Sequence, residues 1–313
     1  MDIDYLLLLQ NLRNSTSDIV SSILLFLTDT ADGIYPLAII CAIYWIFSKE
    51  AGRRICCFYL SARFINGLLK LCACVYRPWI RDSRVIPYGG AKTSATGYSF
   101  PSGHSTTATS IAGGIFIWLR KKNIIVVVIA IFWACIIYFT RNYLGVHTPQ
   151  DVIVGILSTL LTIFVVNKVE DWTDKNPKRD VIFAVVVILI CAVTTVFYLL
   201  KPYPYDYDAT GNLICDPFKM INDSLVSNAA LVTYAIVRYF ERRGFDFQKN
   251  VPIKVRVIFA IICFIPIVLW YFYICPQFKQ INVYLYDVLY ESVVIFYVLI
   301  VVPNIMRIYN KIK

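Results

Sequence analysis

Charged residues are scarce in this chain and make up only 16% of its 313 residues. Soluble domains carry about 25% charged and about 45–50% apolar residues, whereas this chain is 58% hydrophobic. A water-soluble core of ordinary size cannot bury so much apolar surface, so the composition excludes an ordinary soluble protein. We expect an all-α membrane protein, because helices satisfy their own backbone hydrogen bonds in lipid.

Potential metal ligands are also few or badly spaced. The chain has two histidines, and its ten cysteines show no spacing typical of a zinc site. The loops predicted to face outward lack the clustered carboxylates that would hold Mg²⁺. We therefore expect no metal and no other cofactor, and we interpret the cysteines as small packing residues. Cys215 and Cys275 can both face outward, and whether they pair stays open.

The formal net charge of +10 does not indicate nucleic-acid binding, because Lys and Arg stand in short clusters between apolar runs. This pattern is typical of cytoplasmic loops in membrane proteins. The pattern predicts a bundle of about ten membrane segments, at 19–28, 33–48, 55–76, 105–119, 124–140, 152–167, 181–200, 224–237, 257–275 and 288–306. The distribution of basic residues over the alternating loops predicts a cytoplasmic N-terminus.

The polar connection at 168–180 separates two predicted parts of the chain. Residues 1–168 form a six-helix membrane core that contains every chemically suggestive residue. Residues 169–313 form a four-helix membrane extension, and no feature of the sequence indicates what the segments at 181–306 do. The sequence also gives no indication of the oligomeric state.

The loop at 77–103 is basic although it is predicted to face outward, where Lys and Arg are less common. Arg77, Arg81, Arg84 and Lys92 lie within sixteen residues of one another. An anionic ligand is the simplest reason for this cluster, and the alternative is a solvated loop that happens to be basic. Lys70 lies seven residues before Arg77 and can either reach the same anion or extend to the interface.

Both histidines are predicted to lie at the outer ends of helices. His104 follows Ser102 and Gly103 at a helix start, where free backbone N–H groups and the helix dipole favour an anion. His147 follows Arg141 and precedes Asp151 by four residues, which is one helical turn. The carboxylate can then bond one imidazole nitrogen and leave the other free as a nucleophile.

These residues resemble the three-part signature of the type 2 phosphatidic acid phosphatase (PAP2) superfamily. The three parts are Lys70-x6-Arg77-Pro78, Pro101-Ser102-Gly103-His104 and Arg141-x5-His147-x3-Asp151. The resemblance covers roughly residues 54–168. It implies that His147 attacks phosphorus to form a phosphohistidine, that Asp151 orients His147, and that His104 serves as acid and then as base. It further implies that the phosphoryl oxygens are bound by Lys70, Arg77, Ser102, Gly103 and Arg141.

The resemblance implies a lipid phosphate monoester or diphosphate as substrate, hydrolysed without a metal on the extracytoplasmic face. Phosphatidic acid, phosphatidylglycerol phosphate, undecaprenyl diphosphate and a sphingoid phosphate all stay open. Alternatives are a phosphotransferase with the same site, a sugar-phosphate phosphatase of the glucose-6-phosphatase type, an inactive lipid-phosphate binder and, remotely, a transporter. The composition is rich in Ile, Lys and Tyr, which favours a bacterial plasma membrane.

Overall fold

The computed structural model describes residues 2–208, 210–244, 251–281 and 283–312, and these residues are almost entirely helical. The one β-bridge among them joins Tyr207 to Leu213. The helices are α1 Asp2–Asn14, α2 Asp18–Asp29, α3 Tyr35–Ala42, α4 Lys49–Ala73, α5 Pro78–Arg81, α6 Gly89–Ser94, α7 Gly103–Leu119, α8 Ile124–Tyr143, α9 Pro149–Asp174, α10 Arg179–Leu200, α11 Pro217–Arg243, α12 Ile253–Leu269, α13 Cys275–Ile281, α14 Val283–Phe296 and α15 Val302–Ile312. Short π-helical stretches follow α3, α12 and α14. The expected all-α fold is confirmed.

Seven helical segments of the described chain are long and apolar enough to cross a membrane. They are Lys49–Arg81, Ile124–Tyr143, Pro149–Asp174, Arg179–Leu200, Pro217–Arg243, Ile253–Phe278 and Val288–Tyr309. The protein is therefore a polytopic membrane protein, as predicted. The count of ten is not confirmed, because three predicted segments fall on shorter helices, namely α2, α3 with its π-helical extension, and α7.

Helix α7 is less apolar than the seven spans because small and hydroxyl residues fill it. Most of these residues are buried. Small side chains let neighbouring helices approach closely. Alanines of α7 and α8 share a buried cluster that consists of Ala31, Ala108, Ala112, Ala130, Ala134 and Ile137. This close packing fixes the start of α7 against α8, and both of these helices carry predicted site residues.

The chain divides into two compact units that interleave along the sequence. The first unit comprises residues 1–36, 62–163 and 200–221, and the second comprises 37–61, 164–199 and 222–313. Neither unit coincides with the predicted parts 1–168 and 169–313, since each takes residues from both. The assignment of catalysis to the N-terminal part stays a prediction about function.

Buried ion pairs stabilise the second unit. Arg238 contacts Asp180 at 2.6 Å and Glu170 at 3.0 Å, and Arg53 contacts the same Glu170 at 2.9 Å. All four side chains are buried. A charge removed from water must be paired to avoid a large desolvation penalty. Arg53 of α4 and Arg238 of α11 therefore both join their helices to α9 through Glu170.

Helix α1 packs on the basic loop at 77–103 within the first unit. The Asp2 carboxylate contacts Arg81 at 2.9 Å, and the Gln10 amide donates to the Arg84 carbonyl at 3.1 Å. The Arg13 guanidinium donates to the Tyr143 carbonyl at 2.8 Å. The N-terminal helix therefore lies at the same end of this unit as the site loop, a placement that favours the site's side of the membrane for the N-terminus.

Helix α2 is too short to cross a membrane alone. Its 12 residues extend about 18 Å, well short of a bilayer core of about 30 Å. The stretch at 35–47 is similarly short. The number of crossings before α4 therefore stays untested, and so does the predicted cytoplasmic N-terminus.

A tag at the N-terminus and a tag inserted at 175–178 are expected on opposite membrane sides. Helix α9 separates the 175–178 connection from the site by 26 residues, or about 39 Å. Protease accessibility in sealed vesicles measures this, with detergent-opened vesicles as the control. Finding both tags on one side would instead support the predicted cytoplasmic N-terminus.

Candidate active site

Backbone contacts within the first unit hold the three predicted motifs together. The backbone N–H of Ser102 donates to the Asp151 carbonyl at 2.9 Å, which joins the second motif to the third. The Lys70 ammonium donates to the carbonyls of Tyr98 at 3.0 Å and Pro101 at 3.1 Å, which joins the first motif to the second. Lys70 therefore also anchors the loop before α7, beyond its predicted role in phosphate binding.

His147 lies between a cation and a carboxylate. Its Nδ1 lies 3.4 Å from Asp151 Oδ2, and its Nε2 lies 3.0 Å from the Arg77 guanidinium. A guanidinium can only donate, so we assign Nε2 as the acceptor and place the proton on Nδ1, towards Asp151. Ser99 Oγ and the Thr148 backbone N–H donate to the same Asp151 oxygen at 2.6 and 2.8 Å. These bonds fix the carboxylate that orients the imidazole.

The imidazole of His147 is kept uncharged by its surroundings. His147 is 2% exposed, and burial followed by the adjacent Arg77 charge lowers its pKa well below the ordinary value. A low pKa means that Nε2 keeps its lone pair at neutral pH. Its position beside Arg77 and its protonation state are those that a nucleophile requires.

Arg77 is 5% exposed and is held by backbone carbonyls rather than by an acidic residue. Its guanidinium donates to the carbonyls of Val146 and Gly97, each at 3.0 Å, and to that of Thr96 at 3.2 Å. It also lies 5.9 Å from the centroid of the Trp79 ring. In the described part of the chain Arg77 forms no salt bridge, so its charge is available to an anion.

His104 and Arg141 are buried and incompletely bonded. His104 is 9% exposed and Arg141 is 1% exposed. Among the described residues, neither His104 Nε2 nor Arg141 Nε has a hydrogen-bond partner. Arg141 donates from another nitrogen to Thr28 Oγ1 at 3.2 Å. Buried polar atoms are rarely left without a partner, so these two point to a ligand that the site takes up.

Ser102 serves as the N-cap of α7. Its Oγ accepts from the Ser105 backbone N–H at 3.3 Å and contacts Ser105 Oγ at 2.9 Å. Such a cap satisfies one free donor of the first helical turn. Gly103 is the first residue of α7. The phosphate-binding role of Ser102 and Gly103 stays a prediction, whereas their place at the helix start is as expected.

Two segments outside the motifs also contact the site, and no motif pointed to either of them. The segment at 200–221 packs on the site loop, where the Lys219 ammonium donates to Thr96 Oγ1 at 2.6 Å and the Tyr76 hydroxyl donates to Asp206. The end of α2 and the residues after it contribute Thr28 and its neighbours. The polar residues that end the apolar run of α2 are the one sequence feature that could have indicated this contact.

The described residues include all ten cysteines, and each is a free thiol. Pairing of Cys215 with Cys275 is therefore not observed. In the same part of the chain no three His, Cys, Asp or Glu side chains come close enough to hold a metal ion. The expectation of a metal-independent reaction stays a prediction.

The fold and the site together define a helical membrane protein with a buried, basic, histidine-containing site suited to an anionic group. Residues 51–175 match the sequence model of the PAP2 superfamily. This match confirms the resemblance seen in the motifs.

Two relatives match parts of the chain. Sphingosine-1-phosphate phosphatase 2 of Homo sapiens is 24% identical over 165 residues, which cover 51% of this chain and 39% of the relative. Phosphatidylglycerophosphatase B of Escherichia coli (strain K12) is 35% identical over 65 residues, which cover 20% of this chain and 25% of the relative. The chain thus spans well under half the length of these relatives. No solved structure matches it.

Gly97 is expected to be required for the turn that binds Arg77. Gly97 has φ +76°, and an added Cβ would overlap the Met220 side chain. Changing Gly97 to Ala should lower the free energy of unfolding by about 1–2 kcal/mol because the backbone there is left-handed. Displacement of the Met220 side chain should add to this loss. Gly211→Ala is the matched control, since Gly211 has φ +81° with nothing within 4 Å. Thermal unfolding in detergent measures both, and equal losses would show that Met220 packing does not constrain the turn.

Proposed function

We propose that the protein is a metal-independent membrane phosphatase that hydrolyses a lipid phosphate monoester or diphosphate through a phosphohistidine. The observation that carries this proposal is the placement of His147, with Nε2 at 3.0 Å from Arg77 and Nδ1 at 3.4 Å from Asp151. A phosphoryl oxygen drawn to Arg77 would bring phosphorus next to the Nε2 lone pair. The contact of Arg77 with Nε2 then gives way to the new N–P bond.

The proposed reaction has two steps. In the first, His147 Nε2 attacks phosphorus, the P–O bond to the leaving alcohol breaks, and protonated His104 donates its proton to the leaving oxygen. The positive charge that forms on the His147 imidazole is stabilised by Asp151. In the second step, His104 takes a proton from water, the resulting hydroxide attacks phosphorus, and the N–P bond breaks to release phosphate.

Electrostatic stabilisation of the phosphoryl oxygens is the main catalytic device in such a transfer. Arg77 and Arg141 are buried and have no acidic partner within salt-bridge distance in the described structure. In the empty site, burial and the charges of Arg141, Arg77 and Lys70 lower the pKa of His104 well below its ordinary value. A bound phosphate dianion would offset these charges and let His104 carry the proton that it donates. Three fixed cations supply the charge that Mg²⁺ supplies in many other phosphoryl-transfer enzymes, which supports a metal-independent reaction.

The substrate class and membrane side follow from the surroundings of the site. Both matched relatives are named for the hydrolysis of a lipid phosphate, which supports a substrate with its phosphate at the bilayer surface and its tail in lipid. The basic residues at 49–54, at the other end of α4 from Lys70, favour a cytoplasmic position for that end. The site would then face the extracytoplasmic side, in a bacterium the outer side of the plasma membrane.

His147→Ala is expected to lower the rate of phosphate release at least about 1,000-fold, because the change removes the imidazole that is proposed to form the N–P bond. Acid and alkaline quenching of the wild type with a ³²P-labelled lipid phosphate should reveal a phosphoenzyme that is stable in alkali and labile in acid. Unchanged thermal unfolding of the variant is the control. A phosphoenzyme that releases no phosphate until an acceptor is added would instead identify a phosphotransferase.

Phosphate release by the purified, detergent-solubilised protein is expected to be unchanged by EDTA. The substrates to compare are phosphatidic acid, phosphatidylglycerol phosphate, undecaprenyl diphosphate, sphingosine 1-phosphate and glucose 6-phosphate. A loss of activity on EDTA treatment that Mg²⁺ or Mn²⁺ restores would contradict the metal-independent mechanism. Preference for glucose 6-phosphate would replace the lipid substrate by a sugar phosphate.

A further inference from the structure

The connector at 28–32, which comprises the end of α2 and the residues that follow it, forms one wall of the site, although it lies outside the PAP2 segment at 51–175. Thr28 Oγ1 accepts from Arg141 at 3.2 Å, and Thr30 Oγ1 accepts from Trp133 Nε1 at 2.8 Å. Asp32 Oδ2 lies 3.9 Å from His104 Nε2. Three contacts from five residues hold this connector in place against α7 and α8.

The connector brings negative charge to a site that is otherwise basic. The carboxylates of Asp29 and Asp32 both act on the charge of Arg141. In the described part of the chain neither carboxylate has a Lys or Arg partner within 4 Å, and the Asp32 side chain is 60% exposed. Asp32 Oδ2 lies 3.9 Å from Nε2 of the buried His104, an atom without a hydrogen-bond partner among the described residues. Asp29 and Asp32 therefore form an acidic wall, and this wall borders His104, the residue that would protonate the leaving oxygen.

We propose that Asp32, with Asp29, forms a subsite for the leaving alcohol and selects a phosphate monoester whose alcohol carries an ammonium group near the ester oxygen. This inference rests on the proposed function, because it takes His104 to lie beside the leaving oxygen. An ammonium group there is attracted by both carboxylates, and it also offers the donors that Asp32 Oδ2 can accept. The acidic wall and the cations thus bind opposite charges on one substrate.

The same wall acts against a diphosphate. When the terminal phosphoryl group of a diphosphate is transferred, the leaving group is itself a phosphate monoester and carries negative charge. That charge would lie beside His104 and face Asp32, and like charges at short distance repel each other. The subsite therefore favours an amino-alcohol monoester over a diphosphate of similar chain length.

The test compares sphingosine 1-phosphate with its N-acetyl derivative, which loses the ammonium charge and gains only a two-carbon acyl group. Mixed micelles of fixed composition present each substrate to the purified protein, and kcat/KM is measured for both. The wild type should prefer the free amine. Asp32→Asn should lower the ratio of the two kcat/KM values about fivefold, which is the effect of one partly exposed ion pair. The ratio should fall because only the reaction of the free amine is weakened. Asp32→Glu should restore most of the preference.

Two further variants keep the result interpretable. Asp18→Asn is the matched control, because Asp18 is an exposed aspartate in the first turn of the same α2 and should leave the ratio unchanged. Asp29→Asn tests the subsite independently if Asp32→Asn does not fold, and it should lower the ratio in the same direction. An unchanged ratio in both variants would overturn the subsite. So would an equal loss on both substrates, since Asp32 would then act only through His104. Absence of phosphate release by the wild type would instead refute the proposed function itself.

Discussion

The rest of the site depends on the position of one imidazole between two opposite charges. Arg77 bonds Nε2 of His147 and Asp151 faces Nδ1, so each nitrogen has one defined role. Arg77 is in turn held by the carbonyls of Thr96, Gly97 and Val146. The backbone of the site loop and of the turn before α9 therefore determines where the nucleophile lies. A change in either would displace the cation and the imidazole together.

The buried arginines of this chain differ in whether acidic side chains neutralise their charge. In the second unit, buried Arg238 contacts both Glu170 and Asp180, so its charge is neutralised within the protein. In the site, buried Arg77 has only carbonyl and imidazole acceptors. A buried cation without a counter-charge carries an uncompensated desolvation penalty. In the proposed function an anionic substrate removes that penalty on binding, so the empty protein should be less stable than the protein with its substrate bound.

The sequence predicted which motif residues come together better than it predicted the path of the chain. His147 and Asp151 could be paired because one helical turn separates them, and Arg77 could be singled out because a basic loop on the outer side needs a reason. Ser99 could not be found, because its bond to Asp151 depends on how the loop before α7 folds back. The number of membrane crossings before α4 could not be predicted, because hydropathy counts apolar runs, whereas the 12-residue α2 is too short to cross alone.

In the proposed function, the residues of the motifs and the residues that determine substrate preference lie in different parts of the chain, and there is a chemical reason for this. In the proposed reaction every substrate presents the same phosphoryl oxygens, so the residues that bind them can form a fixed signature. Leaving groups differ in charge and shape, so the residues that contact them need share no pattern. The connector with Asp29 and Asp32 bears on Arg141 and His104 yet belongs to none of the three motifs. A signature can therefore identify phosphoryl chemistry while leaving the substrate open, and the substrate must be sought in the walls that the rest of the chain adds.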